Sequence, residues 1–358
     1  MTSHITRKIL VTGGCGFIGS NLIRLLRRDR PSWRIVNLDL MTYAANAANL
    51  GDVRDGPHYR FVRGDVADRS LVAELYASEG FDAVIHCAAE SHVDRSIHDS
   101  GQFLRTNVEG TLVLLEAAAA TGGVRHLQMS TDEVYGSLAL DEPSFTESTP
   151  LAPRSPYSAS KAAADLLALA FHHTHAQDVV ITRCSNNYGP YQHPEKLIPL
   201  MITSALRQLP LPVYGDGKQR RDWIFVEDHC RGVLAALEDG ASGAVYNFGG
   251  GAERENLQVV RQVVAEVGAS ESLIRHVADR PGHDRRYSVS FDKAARELGW
   301  RPAHAFEDGL RETIGWYRAN PQWWTATAAN AYTESEDRIS RWARTDAPTR
   351  SAPAGKQS

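Results

Sequence analysis

Residues 8–19 read Lys-Ile-Leu-Val-Thr-Gly-Gly-Cys-Gly-Phe-Ile-Gly, an apolar run followed at once by Gly13, Gly16 and Gly19 at three-residue intervals. Few folds accommodate such a segment. The apolar run suits a buried strand, and the glycines let the chain turn tightly and open a helix beside the strand end. Backbone N–H groups at that turn, with the partial positive charge of a helix N-terminus, form a seat for a pyrophosphate. Asp39 ends the second apolar run, twenty residues after Gly19. An acid there accepts hydrogen bonds from adenosine ribose hydroxyls and repels a 2′-phosphate, so NAD is the expected cofactor rather than NADP. A plain glycine turn with a helix-capping aspartate is the competing reading. Gly64-Asp65, after the third run, is placed for the adenine, although Gly-Asp is also a common turn pair.

The strand-then-helix alternation continues along the chain. Strands are expected at residues 8–12, 34–38, 60–62, 83–87, 125–129 and 179–183, with helices at 20–28, 70–78, 107–120 and 157–174. Parallel strands need crossover connections, so this order predicts an α/β fold: a Rossmann-type doubly wound parallel sheet. After residue 188 proline, glycine and aromatics become denser, which suggests a smaller α/β substrate-binding region. The expected division is 1–187 for cofactor, with elements around 225–250 returning to it, 188–333 mainly for substrate, and a mobile polar tail at 334–358. A net charge of −4 over 358 residues gives no global attraction to nucleic acid or membrane, so phosphates must be held by local groups.

Tyr157-Ser-Ala-Ser-Lys161 sets a phenol and an ammonium four residues apart, on one face of the expected helix. A neighbouring ammonium favours the phenolate, which can remove a hydroxyl proton while hydride leaves the same carbon. Taken alone, the spacing is common on helix surfaces. The fifth strand runs into Ser130-Thr131-Asp132-Glu133, at the sheet end where ligands bind in doubly wound folds. Adjacent strand residues point to opposite sides, so both carboxyls reach one substrate only if the chain turns there. Eliminating water from a sugar needs a base for C–H removal and an acid for the departing hydroxyl, which two carboxyls in different environments can supply. Helix caps on an acidic loop are the plainer alternative.

Five segments together are far more specific than the glycine loop: Ala88-Ala-Glu-Ser-His-Val-Asp-Arg-Ser96, Ser130–Gly136, Ser155-Pro-Tyr-Ser-Ala-Ser-Lys161, Thr182-Arg-Cys-Ser-Asn-Asn-Tyr-Gly-Pro-Tyr191 and Arg280-Pro-Gly-His-Asp-Arg-Arg286. On these the chain, from about Lys8 to Trp324, resembles the extended short-chain dehydrogenase/reductases (the NAD-dependent epimerase/dehydratase family), and among them the nucleotide-sugar 4,6-dehydratases. The resemblance implies NAD contacts at Gly13, Gly16, Phe17, Ile18, Gly19, Asp39, Thr42, Asp65, Val66, Ala88, Ala89, Thr106, Tyr157 and Lys161. It implies that dTDP-glucose or a close relative is oxidised at C4 by Tyr157, supported by Lys161 and Thr131. Glu133 then takes the C5 proton, Asp132 protonates the leaving 6-hydroxyl, and hydride returns to C6. Ser91 and Asn187 match positions near the sugar, Arg221, Asn256 and His283 positions that hold the diphosphate, and Tyr214 a residue stacking on the base. Arg221 could instead pair with its neighbour Asp222. Cys15, Leu40 and Ala45 depart from the family pattern of alanine, lysine and glycine, which touches adenosine contacts and not the chemistry.

Related activities remain open. Epimerases of this fold lack the Asp-Glu pair, and decarboxylases generally lack its aspartate. A UDP-glucose dehydratase is poorly excluded, and a silent NAD-binding protein would be expected to lose Tyr157, Lys161 or a carboxyl. No metal site is expected: His172-His-Thr-His175 sits at a helix end, where such residues complement the dipole. Cys15, Cys87, Cys184 and Cys230 lack zinc spacing, and no leader or membrane-spanning run is apparent, so a reduced, cytoplasmic protein is expected. The helices over 112–120 and bearing Tyr157 resemble the pair that forms the family's dimer, implying a homodimer.

Overall fold

The computed structural model describes residues 7–53, 56–279 and 282–345. Its first half alternates strands and helices: β1 (Lys8–Thr12), α1 (Phe17–Asp29), β2 (Arg34–Asp39), β3 (Tyr59–Arg63), α2 (Arg69–Glu79), β4 (Ala83–His86) and α3 (Val93–His98). Next come α4 (Ser100–Phe103), a π-helical segment (Leu104–Glu109), α5 (Gly110–Thr121), β5 (Arg125–Thr131), α6 (Pro156–His175) and β6 (Val179–Cys184). β1, β4 and β6 are largely apolar, and with β5 they are buried along nearly their whole length because helices cover both sheet faces. α1 turns Leu22, Ile23, Leu25 and Leu26 inward and ends on Arg27 and Arg28, which suit the negative end of its dipole. α6 starts sharply: Ser155 and Ser158 form a capping box around Pro156, which lacks the N–H that the first turn would leave unpaired.

Beyond β6 the elements are β7 (Asn186–Tyr188), α7 (Leu197–Leu206), β8 (Leu211–Tyr214), β9 (Arg220–Phe225), α8 (Val226–Asp239), β10 (Val245–Phe248) and β11 (Glu253–Glu255). They continue with α9 (Asn256–Val267), β12 (Ile274–Val277), α10 (Asp292–Leu298), α11 (Phe306–Ala319) and α12 (Pro321–Thr345). The main sheet has the order β10-β6-β5-β4-β1-β2-β3, and every pairing in it is parallel. Strand order reverses between β1 and β4, and a ligand cleft is expected at that switch point, beyond the carboxyl ends of the strands. This is a Rossmann-type doubly wound sheet extended by β10. Two small sheets, β11-β9-β7 and β12-β8, share a separate core with α7, α9 and α11.

Three local outcomes differ from the sequence reading. α1 begins at Phe17, three residues before the expected start, because Gly19 sits inside its first turn; a Cβ there would collide with the Gly13 carbonyl oxygen. The helix expected at 107–120 begins earlier, through α4 and the π-helical segment. The largest difference is the tail. α12 stays helical to Thr345, and Trp324, Ala328, Ala331 and Ser335 form its buried stripe at helical spacing. Most of that stripe is small, so polarity at the other positions hid it. Residues 346–358 of the expected tail lie outside the described residues.

Candidate active site

The glycine turn closes over the ends of β1 and β4. Gly13 has φ +68°, and a Cβ there would lie 2.7 Å from both the Cα and N of Ala88. Only glycine meets both demands. Asp39, at the end of β2, accepts from Cys15 N at 2.8 Å and from Met41 N at 2.7 Å. Burial raises its pKa, and these two backbone bonds pull it back. Asp65 accepts from Ala67 N and from the Arg105 guanidinium, both at 2.9 Å. One cleft is lined by Gly13, Gly16, Phe17, Ile18, Gly19, Asp39, Thr42, Asp65, Val66, Ala88, Ala89 and Thr106, and runs on to Tyr157 and Lys161. Its elongated Gly-rich end with one acid at the β2 tip fits the adenosine and pyrophosphate of NAD. Leu40 and Ala45 line the same cleft.

β5 ends in the turn that paired carboxyls require. Thr131 Oγ1 accepts from Glu133 N at 3.3 Å, which caps a 3₁₀ turn over Asp132–Tyr135. The turn brings Asp132 and Glu133 to the same cavity wall, with Glu133 also lining the neighbouring cleft. Asp132 is 2% exposed and its Oδ2 has no hydrogen-bond partner. Burial pushes its pKa well above the ordinary carboxyl value, and the nearby Glu133 and Asp222 carboxylates add to this. Asp222 is itself pushed up to about 6 by burial.

Tyr157 and Lys161 face this turn from α6. The Tyr157 hydroxyl hydrogen-bonds Thr131, which lowers its pKa, but burial and the Glu133 charge raise it further. The expected net lowering by Lys161 is therefore outweighed. Lys161 Nζ donates to Met129 O at 2.6 Å, and burial lowers its pKa while Asp165 opposes that change. Asp165, one helical turn on, accepts from Arg183 Nε at 2.8 Å and from Ser130 Oγ at 3.0 Å. Arg183 also donates to Tyr135 Oη at 2.9 Å, and Tyr135 donates to Asn247 Oδ1 at 2.9 Å. This buried network ties the Asp132–Tyr135 turn to α6, β6 and β10.

A second cleft opens from Glu133 and Ser91 and includes Asn187, Tyr214, Arg221, Asn256 and His283. Arg221 is 5% exposed; its guanidinium donates to the carbonyls of Arg220 and Asp284 and lies 4.3 Å from the Tyr287 ring centroid. Its neighbour Asp222 accepts from Ala252 N at 2.8 Å and Gly250 N at 3.1 Å. Asn256 Oδ1 is buried without a partner at the start of α9. His283 Nδ1 lies 2.6 Å from Asp279 Oδ1, and its ring meets Tyr214 edge-on. Asn187 is held by the protein itself, through His229 Nδ1 at 2.9 Å and Ser185 O at 3.0 Å. Arg280 and Pro281 lie outside the described residues.

Sequence reading passed over Gln192, Glu195, Lys196, Trp223 and Tyr287, all of which line this second cleft. Lys196 donates to Ser91 O at 2.8 Å, and the Tyr43 hydroxyl donates to Glu195 Oε1 at 3.2 Å. A Glu-Lys pair ahead of an apolar helix was the available signal. Among the described residues, no group of three or more His, Cys, Asp or Glu side chains could hold a metal ion.

The GDP-mannose 4,6 dehydratase family model matches residues 10–313. The dTDP-glucose 4,6-dehydratase of Streptomyces niveus is 52% identical over 321 residues, covering 88% of this chain and 94% of that relative. DesIV, the dTDP-glucose 4,6-dehydratase of Streptomyces venezuelae solved with NAD bound, superposes with TM-score 0.86 at 51% identity, over 89% of this chain and 99% of that one. The Bacillus anthracis str. Ames dTDP-glucose 4,6-dehydratase, also in complex with NAD, gives TM-score 0.85 at 44% identity, over 90% and 100%. Sequence, sheet order and site geometry converge, and the chain belongs to the dTDP-glucose 4,6-dehydratase family of the extended short-chain dehydrogenase/reductases.

Proposed function

We propose that this chain is a hydro-lyase that converts dTDP-glucose to dTDP-4-keto-6-deoxyglucose. The observation that carries the reading is the Asp132–Glu133 pair on a capped turn, facing Tyr157 and Lys161 where the cofactor cleft meets the second cleft. Relatives at about half identity bear the same activity in their names. NAD held by the glycine turn and Asp39 would supply the hydride acceptor for sugar C4 and, once reduced, the donor for C6. Tyr157 takes the 4-hydroxyl proton, with Thr131 and Lys161 orienting and charging its surroundings. The 4-keto group acidifies C5–H, and Glu133 removes that proton. Asp132, kept protonated to unusually high pH by burial, gives its proton to the 6-hydroxyl as water leaves. Arg221, Asn256 and His283 hold the diphosphate, Tyr214 stacks on the base, and Ser91 and Asn187 border the hexose.

The proposed acid sets a pH dependence. Water elimination is expected to fall as pH rises through the raised Asp132 pKa. Stability should follow the same group. The folded protein keeps a proton on Asp132 that the unfolded chain releases, so this contribution is full below the ordinary aspartate pKa and declines as pH rises towards the folded one. Asp132→Asn should therefore unfold at a higher denaturant midpoint than wild type at about pH 8, although nearly inactive. Equal midpoints would remove the argument from burial.

The substrate is tested by incubating the NAD-loaded protein separately with dTDP-glucose and UDP-glucose and following each mass for loss of one water. Loss from dTDP-glucose with little from UDP-glucose is expected; preferred loss from UDP-glucose would keep the reaction and replace the base. The same preparation is expected to be a homodimer of 39.4 kDa chains by light scattering. Exposed Ile97, Leu104 and Leu166, on α3, the π-helical segment and α6, support that assembly. A monomer would refute it. Four cysteines without a disulfide suit a reducing, cytoplasmic setting, and no described helix is long and apolar enough to cross a membrane.

A further inference from the structure

The middle of α12 reaches the second cleft. Ser335 is 1% exposed, its Oγ has no hydrogen-bond partner, and it lines the cleft together with Leu200, Met201, Val213 and Tyr214. A buried hydroxyl without a partner costs stability, on the order of a lost hydrogen bond, unless something else meets it. The helix is held there at two points. Trp324 and Ala328 belong to the core shared with α7 and α9, with Tyr332 packed against it. Glu334 pairs with Arg95 of α3 at 2.8 Å, and the Arg95 guanidinium stacks 3.7 Å from the Tyr43 ring centroid. Ser335 therefore stands on a clamped element, and it lies outside residues 10–313 that the family model matches.

The lining of this cleft divides by chemistry. Glu133, Asn186 and Ser91, at the catalytic end, suit a hydroxyl-rich hexose. Leu197, Leu200 and Met201 of α7, Pro212 and Val213 of β8 and Val260 of α9 are apolar and suit a flat ring with polar edges only. α12, which carries Ser335, packs on α7, the helix that supplies Leu197, Leu200 and Met201 to the apolar end. We infer that Ser335 is a further substrate-binding residue whose hydroxyl hydrogen-bonds the polar edge of the nucleobase. This rests on the nucleotide-sugar reading above. A hydroxyl can donate to a ring carbonyl or accept from a ring N–H, so either edge of a pyrimidine meets its needs.

The test is calorimetric titration of the NAD-loaded full chain with dTDP, for wild type and Ser335→Ala, with steady-state kinetics on dTDP-glucose. Loss of one neutral hydrogen bond in a buried site is expected to weaken dTDP binding about fivefold. KM should rise by the same factor, with kcat and NAD affinity unchanged. A second variant that stops after Thr333 keeps the Ala328 and Tyr332 packing and should weaken dTDP at least as much. A higher KM with unchanged dTDP affinity would move the contact to the hexose and overturn the assignment, as would equal affinities of wild type and both variants. If wild type itself bound no dTDP, the nucleotide-sugar reading beneath the inference would fall with it.

Discussion

Glu133→Gln is expected to lower water elimination by about 10³-fold while leaving the first oxidation in place. The side chain keeps its length and its position on the 3₁₀ turn, since the capping bond to Thr131 comes from the Glu133 backbone N–H. Only the basic oxygen is lost. Without it the 4-keto sugar is expected to form and stop, because the oxygen that takes the C5 proton is gone. The measurable signature is reduced-nicotinamide absorbance that builds up in proportion to enzyme, with almost no sugar nucleotide lighter by one water. Near wild-type water loss would show that Glu133 is not the base.

Tyr157→Phe should produce the opposite pattern, with both steps lost. We expect turnover to fall by about 10³- to 10⁴-fold and no reduced nicotinamide to accumulate, since C4 oxidation cannot begin without an acceptor for the hydroxyl proton. The ring itself is retained, and it packs edge-on against Phe103 with centroids 6.3 Å apart, so the fold should survive. The missing hydroxyl removes the bond to Thr131, and a stability loss of about 1 kcal/mol is expected. NAD binding should persist, because the glycine turn and Asp39 are untouched. The two variants differ in one reading, the spectrum of the cofactor after substrate is added. If Tyr157→Phe accumulated reduced nicotinamide as Glu133→Gln does, the proton acceptor at C4 would be some other group.

The residues most legible in the sequence are those whose function depends on neighbours in the chain. Gly13, Gly16 and Gly19 declare the turn by their spacing, Asp39 by its place at a strand end, and Tyr157 with Lys161 by one helical turn. Asp132 and Glu133 could be named from their adjacency, and the capped 3₁₀ turn gives the geometry they need. The effect of Lys161 on Tyr157 was harder to read, because burial of the phenol is a property of the whole pocket. Glu195 and Lys196, from the loop ahead of α7, and Tyr287, from a loop some ninety residues later, converge on the second cleft with no periodic pattern to announce them. α12 was missed for a different reason: Ala328, Ala331 and Ser335 carry too little hydrophobic signal to stand out, although at helical spacing they make a closely packed stripe.

β10 has a consequence for how the protein is made. It completes the sheet by pairing Val245 with Ile181, 64 residues earlier in the chain. Six of the seven strands therefore leave the ribosome with β6 as a bare edge, its donors and acceptors facing water or another nascent chain. Most of the residues that build the small sheets must emerge before that edge is covered. Asn247, which accepts from the hydroxyl of Tyr135 in the 3₁₀ turn after β5, arrives on the same late strand. Synthesis thus exposes a sticky intermediate for the time needed to make about 64 residues, and the buried polar network around Tyr135, Asp165 and Arg183 is sealed by the last strand of the sheet to appear.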